Sequence, residues 1–197
     1  MKIQCIKYTL SEFQILEKVL AEIRLFDGFQ GRIRKDAIYG MRNNKIISIN
    51  LSSYQITHLP GSVSQLQNLE QLYLADNRLS KLPNSICNLK YLVNISVWKN
   101  ELEIIPSSIG KLINLKYLDL GNNQIKIIPD SIGELESLIR LNLENNNIKR
   151  LPRTLLKIKK LQVLQIYENR INLDDGLNKS IINKLEDNGC RVYFKLK

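Results

Sequence analysis

LEQLYLADNRLSKLPNSICNLKY, residues 69–91, is followed at once by LVNISVWKNELEIIPSSIGKLIN, residues 92–114, and the two align without a gap. Leu69, Leu72, Leu74, Asn77, Leu79, Leu82, Pro83, Ile86 and Leu89 return as Leu92, Ile95, Val97, Asn100, Leu102, Ile105, Pro106, Ile109 and Leu112. Outward from this pair the asparagine recurs every 23 residues as Asn77, Asn100, Asn123, Asn146 and Asn169. All five prolines, Pro60, Pro83, Pro106, Pro129 and Pro152, hold one position of the same frame. A fixed internal period decides the architecture ahead of local propensity, because each copy can bury its apolar face only against its neighbours. The sequence therefore reads as a solenoid.

Within a copy, the second and third leucines of L-x-x-L-x-L alternate as in a strand, burying one face and presenting the other to water. Stacked copies then give a parallel sheet of about six strands, roughly 4.8 Å apart. After each strand the chain must turn where backbone groups have no ladder partner. An asparagine amide carries the donors and the acceptor to satisfy them and to stack on the amide of the next copy. The proline fixes φ in the return segment, and the hydroxyl two residues on (Ser62, Ser85, Ser108, Ser131, Thr154) is placed to cap a short helical turn. Gly110 and Gly133, one period apart, are assigned to that turn.

The pattern L-x-x-L-x-L-x-x-N-x-L-x-x-L-P-x-x-I-x-x-L resembles the leucine-rich repeat family, in the 23-residue form of bacterial and plant Ras-group-like intracellular proteins, over about Asn44 to Asn172. The first copy departs from it with Tyr54 in place of the asparagine, and the last, starting at Leu161, loses its second half. Atypical end copies are expected where repeats meet a cap. The resemblance implies an α/β fold: a right-handed solenoid with a parallel β-sheet on the concave face and capping elements at both ends. Residues 1–43 are expected to form the N-terminal cap: a strand at Lys2–Tyr8, then an amphipathic helix opened by a Thr9–Glu12 capping box and stopped at Asp27-Gly28, then a basic link through Arg32, Arg34 and Lys35. Residues 44–172 hold about six copies. Residues 173–197 are expected as a C-terminal cap, a helix over Leu177–Leu185 and a strand over Arg191–Lys197 that covers the last repeat and protects the sheet edge.

Composition narrows the class of function. Met1–Thr9 alternates polar and apolar residues, so no secretory leader is expected, and no run of about 18 apolar residues predicts a membrane span. Cys5, Cys87 and Cys190 are odd in number and scattered, which fits free thiols in a reducing compartment and a cytoplasmic location. The one histidine, His58, lies in a surface turn without a cysteine or second histidine near it in sequence. No phosphate-binding glycine loop or dinucleotide fingerprint occurs. The chain is read as non-enzymatic, with no catalytic, cofactor or metal residues.

Function is then sought on surfaces, where the repeat itself says which side chains share a face. Solvent-facing strand positions line up in four columns: Ser48, Gln71, Asn94, Tyr117, Arg140, Val163; Asn50, Tyr73, Ser96, Asp119, Asn142, Gln165; Ser52, Ala75, Trp98, Gly121, Glu144, Tyr167; and Ser53, Asp76, Lys99, Asn122, Asn145, Glu168. Structural need is not expected to restrict them, yet the only tryptophan and three tyrosines fall there. Tyr73, Asp76, Asn94, Trp98, Lys99, Tyr117, Asp119, Arg140, Glu144, Tyr167 and Glu168 are the candidate partner-binding residues. The columns hold four acids against two bases although the chain carries +10, so the positive charge lies elsewhere. It is densest at Lys149, Arg150, Arg153, Lys157, Lys159 and Lys160.

The reading that results is a monomeric protein-interaction scaffold that binds a protein partner on the concave sheet, as the resemblance implies. The alternative is an anion-binding module using the basic edge 149–160 for RNA or membrane phosphate, or a bacterial effector recognition domain. Nucleic acid is the less favoured partner, since the edge lacks interleaved aromatics.

Overall fold

A computed structural model describes residues 11–27 and 39–194. Helix α1 (Glu12–Asp27) is followed by strands β1 (Tyr39–Arg42), β2 (Lys45–Asn50), β3 (Gln71–Tyr73), β4 (Asn94–Ser96), β5 (Tyr117–Asp119), β6 (Arg140–Asn142) and β7 (Val163–Gln165), then helix α2 (Gly176–Asp187) and strand β8 (Arg191–Tyr193). All eight strands form one sheet in sequence order. The β1–β2 pair is antiparallel and every later pair is parallel, so seven parallel strands stand where the repeats alone predict six. The additional strand is β8, which joins β7 in the repeat register, Val163 facing Arg191 and Gln165 facing Tyr193.

The repeat leucines are the core. Leu69, Leu72, Leu74 and their counterparts through Leu143 and Leu164 are almost fully removed from water in one continuous column. Each fully buried aliphatic side chain is stabilising by about 1.5–3 kcal/mol. The asparagines close the turns, but by a route the sequence does not specify. Asn100, for example, accepts from the amide N–H of Leu79 in the preceding copy and donates to the carbonyls of Leu74, Val97 and Trp98. Asn77, Asn123, Asn146 and Asn169 repeat the arrangement. The amides bond to backbone of the copy before and of their own copy, not to each other.

On the opposite side each copy makes a 3-10 turn: Gly61–Gln65, Asn84–Asn88, Ile109–Lys111, Asp130–Glu134 and Arg153–Lys157. The predicted hydroxyl caps do not form. In four of the five turns the residue at the cap position is the proline itself, and Ser108 in the fifth makes no side-chain capping bond. The proline carbonyl already accepts the first turn hydrogen bond, so the hydroxyl sits two residues too deep: Ile86 N–H donates to Pro83 O at 3.0 Å. Ser62 instead donates to Glu22 of α1 and Ser85 to the Gly61 carbonyl. Ser131 Oγ and Thr154 Oγ1 are buried without a partner. Gly110 and Gly133 do not serve turn geometry either. A Cβ on Gly110 would lie 2.5 Å from the Ser131 carbonyl oxygen, and one on Gly133 2.4 Å from that of Thr154, so glycine is needed because the next copy packs against its backbone.

At the N-terminal end, α1 opens with a capping box formed by Ser11 and Gln14: Gln14 N–H donates to Ser11 Oγ at 3.2 Å and Ser11 N–H to Gln14 Oε1 at 2.7 Å. Glu12 of the predicted Thr9–Glu12 box is engaged by Asn68 at 3.1 Å and Lys45 at 3.7 Å; Thr9, and the predicted box with it, lies outside the described residues. The predicted strand Lys2–Tyr8, the stop at Gly28, the link Arg32–Lys35 and Cys5 also lie outside them. At the other end α2 is capped by Asp175, whose side chain accepts from Leu177 N–H. It inserts Asn178, fully buried, to accept from Leu151 N–H and donate to Lys149 and Asn172 carbonyls. Asn178 thereby closes the return segment of the copy that begins at Leu138, five residues beyond its turn asparagine Asn146. Cys87 and Cys190 are buried free thiols, and burial pushes both upward in pKa, Cys190 to about 11. No described helix is long and apolar enough to cross a membrane.

Candidate functional site

The parallel ladder carries the predicted columns in register: Gln71 faces Asn94, Asn94 faces Tyr117, and Tyr117 faces Arg140. Likewise Tyr73, Ser96, Asp119, Asn142 and Gln165 stand in line. β8 lengthens both rows with Arg191 and Tyr193, which the sequence marked only as a covering strand. Three predicted surface positions are overturned: Gly121, Asn142 and Val163 are buried, the last as a short side chain set between Arg140 and Arg191 of the neighbouring strands.

Two further restrictions correct the expectation that fold leaves these positions unconstrained. Ser53, Asp76, Lys99, Asn122, Asn145 and Glu168, the fourth column, all have φ between 46° and 61°. Their amides bond the next copy, as Asp76 N–H to Trp98 O and Lys99 N–H to Gly121 O. The left-handed region suits Asn122 and Asn145 and costs other residues about 1–2 kcal/mol each. In the third column Trp98 has a small residue on either side, Ala75 and Gly121. A Cβ on Gly121 would lie 2.8 Å from Asn142 Nδ2, 2.9 Å from Glu144 Cγ and 3.1 Å from Trp98 Cδ1, so that glycine makes room for all three side chains.

Of the predicted residues, Tyr117, Lys99, Arg140 and Glu168 are exposed, and Tyr73, Asp76, Asn94, Trp98, Asp119, Glu144 and Tyr167 are half-buried. The structure gathers them into two hydrogen-bonded groups. In the first, Lys99 Nζ meets Asp76 Oδ1 at 2.7 Å and lies 5.9 Å from the Trp98 ring centroid, and Asn94 donates to Tyr73 Oη at 3.2 Å. The Lys99 hydrogen bond, with that from Ser53, lowers the Asp76 pKa. In the second, Glu144 accepts from Tyr167 Oη and Asn122, while Asp119 Oδ1 accepts from Asn142 Nδ2 at 2.9 Å and Gly121 N–H at 3.2 Å. The bond to Glu144 is the main reason the Tyr167 phenol is pushed up to about 12. None of Tyr73, Trp98, Tyr117 and Tyr167 is among the half-buried residues packed on the core.

Burial holds the Asp119 carboxyl above the ordinary aspartate pKa, with Glu144 adding to the effect. The folded chain thus binds that proton more tightly than the unfolded one. Asp119's contribution to stability is then greatest below about pH 3.9 and falls as pH rises through the folded pKa. Asp119→Asn, which keeps an Oδ1 to accept both bonds, is expected to raise the urea midpoint at pH 7 and to match the parent chain in acid. An unchanged midpoint at both pH values would refute it.

The basic stretch borders three separate clefts. Lys149 and Arg150 border one cleft with Lys126 and Arg170, Arg153 borders a second against α2, and Lys159 a third near Cys190. Among the described residues no three His, Cys, Asp or Glu side chains converge as a metal ion would require.

Comparison with known proteins agrees with this geometry. A family model described as a leucine-rich repeat region matches residues 99–186, and a single leucine-rich repeat model matches residues 68–89. No curated protein matches in sequence. Among solved structures, a leucine-rich repeat protein of Leptospira interrogans is 33% identical, with a TM-score of 0.70 over 75% of this chain and 37% of its own. An internalin of Listeria monocytogenes is 22% identical, with a TM-score of 0.61 over 74% of this chain and 39% of its own. A chain of the PEPR1–AtPEP1 crystal structure is 19% identical, with a TM-score of 0.71 over 93% of this chain and 27% of its own. The last two show the fold alone, and in all three the chain spans well under half the length of its neighbour.

Proposed function

As this chain is a leucine-rich repeat protein, we propose that it is a non-enzymatic cytoplasmic scaffold, monomeric and without cofactor, that binds a protein partner across its sheet between caps at residues 1–43 and 173–197. The observation that carries this is the set of four aromatic side chains on the sheet, Tyr73, Trp98, Tyr117 and Tyr167, that the core does not use. Such rings have few torsions to lose on binding and offer large contact area, which is why they dominate interface energetics, and Tyr73 and Tyr167 are further held by hydrogen bonds to Asn94 and Glu144. Asp119 supports the same reading, since the face keeps a carboxylate that burial disfavours.

Lys99 is already paired with Asp76, so the charge left beside the rings is that of Asp119, Glu144 and Glu168 against Arg140, a negative balance. The partner is therefore a protein with an apolar knob and a basic rim. The pairing of PEPR1 with AtPEP1 in one crystal structure fits a binding role for this architecture.

Trp98→Ala is expected to weaken the specific complex by at least about 1 kcal/mol, whereas reversing Lys157 and Lys159 to Glu leaves it nearly intact. The measurement is a titration of partner recovered from the native cell, with circular dichroism confirming that both variants keep their folded content. The opposite ranking, together with steep loss of binding between low and physiological salt, would move the site to the basic edge.

A further inference from the structure

Four residues after each turn asparagine, or after its counterpart Tyr54, the chain crosses the flank of the solenoid at His58, Lys81, Ile104, Ile127 and Arg150. Polar side chains suit this position, and three of the five copies have them. Ile104 and Ile127 do not: they are 62% and 73% exposed, and their backbones are joined by a parallel bridge that sets the two side chains next to each other. Beside Ile127 opens a cleft of about 700 Å³, floored by Ile128, Leu151 and Pro152 and rimmed by Lys126, Lys149, Arg150 and Arg170. No carboxylate lines it. Lys126 is bound to Glu103 at 3.0 Å, while Lys149, Arg150 and Arg170 have no ion-pair partner among the described residues.

We propose that this flank is a second docking surface, independent of the sheet, which takes an acidic peptide segment of a partner protein with a large apolar side chain set between carboxylates. The cleft is of the size that accepts such a side chain, and the exposed isoleucine pair extends its apolar surface. Lys149, Arg150 and Arg170 have no ion-pair partner among the described residues, so a carboxylate-bearing segment meets complementary potential as its apolar anchor is desolvated. A polyphosphate or nucleic-acid strand would use the cations and leave both isoleucines in water. The sheet face is acidic beside its aromatics, so the two surfaces select partners of opposite charge.

The test is selection from a displayed library of glutamate-rich segments with randomised central positions, on the immobilised full chain. The enriched segments are expected to carry Leu, Ile or Phe between acids. Their affinity should fall at least about tenfold on Ile127→Ser, and again on Arg150→Glu, because one loses apolar contact and the other charge. Trp98→Ala should leave them unchanged, which separates failure here from failure of the sheet reading. Ile127 and Arg150 are exposed, so both variants should fold as the parent chain does. The proposal is overturned if no acidic segment is enriched, if enriched segments bind Ile127→Ser undiminished, or if inorganic polyphosphate displaces them equally from the parent and Ile127→Ser chains.

Discussion

Asn123→Ala is expected to lower the free energy of unfolding by about 2–4 kcal/mol, the larger part from one orphaned donor. Asn123 donates to the carbonyls of Val97, Leu120 and Gly121 and accepts from Leu102 N–H at 2.9 Å. Each carbonyl keeps another partner when the amide is removed: Asn100 Nδ2 for Val97, Asn146 Nδ2 for Leu120, and Lys99 N–H for Gly121. Leu102 N–H has no such second partner, and its residue is fully buried. Leaving it unpaired accounts for about 1–3 kcal/mol, and the lost donations supply the rest. Asn169→Ala should cost less, because Asn169 is only half-buried. Equilibrium urea unfolding of the two variants provides the measurement, and equal midpoints for Asn123→Ala and the parent would contradict the accounting.

Gly133→Ala should destabilise by about 1–3 kcal/mol although it adds a single methyl group, since relief requires backbone of the next copy to move. The new Cβ would lie 2.4 Å from Thr154 O, 2.7 Å from Thr154 Cβ and 2.9 Å from Thr154 C, none of them the far end of a flexible side chain. Gly110→Ala meets Ser131 O at 2.5 Å and should behave alike. Gly176→Ala is the control: nothing lies within 4 Å, it opens α2, and alanine there is expected to be neutral or favourable. Thermal or urea unfolding in which all three variants match the parent would show that neighbouring turns are not in close contact.

The period of 23 made the register legible, because a side chain's place in the repeat fixes both its strand position and its face. Hence Tyr73, Trp98, Asp119 and Glu144 stand on the face where the pattern put them. What a period cannot encode is distance between copies. The glycines at 110 and 133 and the gap that Gly121 leaves for Asn142, Glu144 and Trp98 depend on that distance, so the first pair read as turn residues and the third went unread. The Ser11–Gln14 box went unread for a different reason: Thr9–Glu12 and Ser11–Gln14 satisfy the same local rule, and the sequence alone does not rank them. The links Tyr167–Glu144 and Lys99–Asp76 run between copies at aligned columns, yet alignment alone does not select them from other polar pairs in reach.

The turn asparagines also give the stack a direction. Each amide oxygen accepts from the copy before it, Asn146 from Ile125 and Asn169 from Ile148, so a copy's turn is closed only once its successor is in place. Shortening the chain from its beginning removes acceptors from an amide that still has carbonyls of its own copy to bond. Shortening it from its end strips the last remaining turn of its latch. The two ends are therefore not equivalent as sites of growth or loss: copies can be shed from the front at little more than the loss of their own burial, whereas every loss at the rear leaves a turn N–H without its asparagine acceptor.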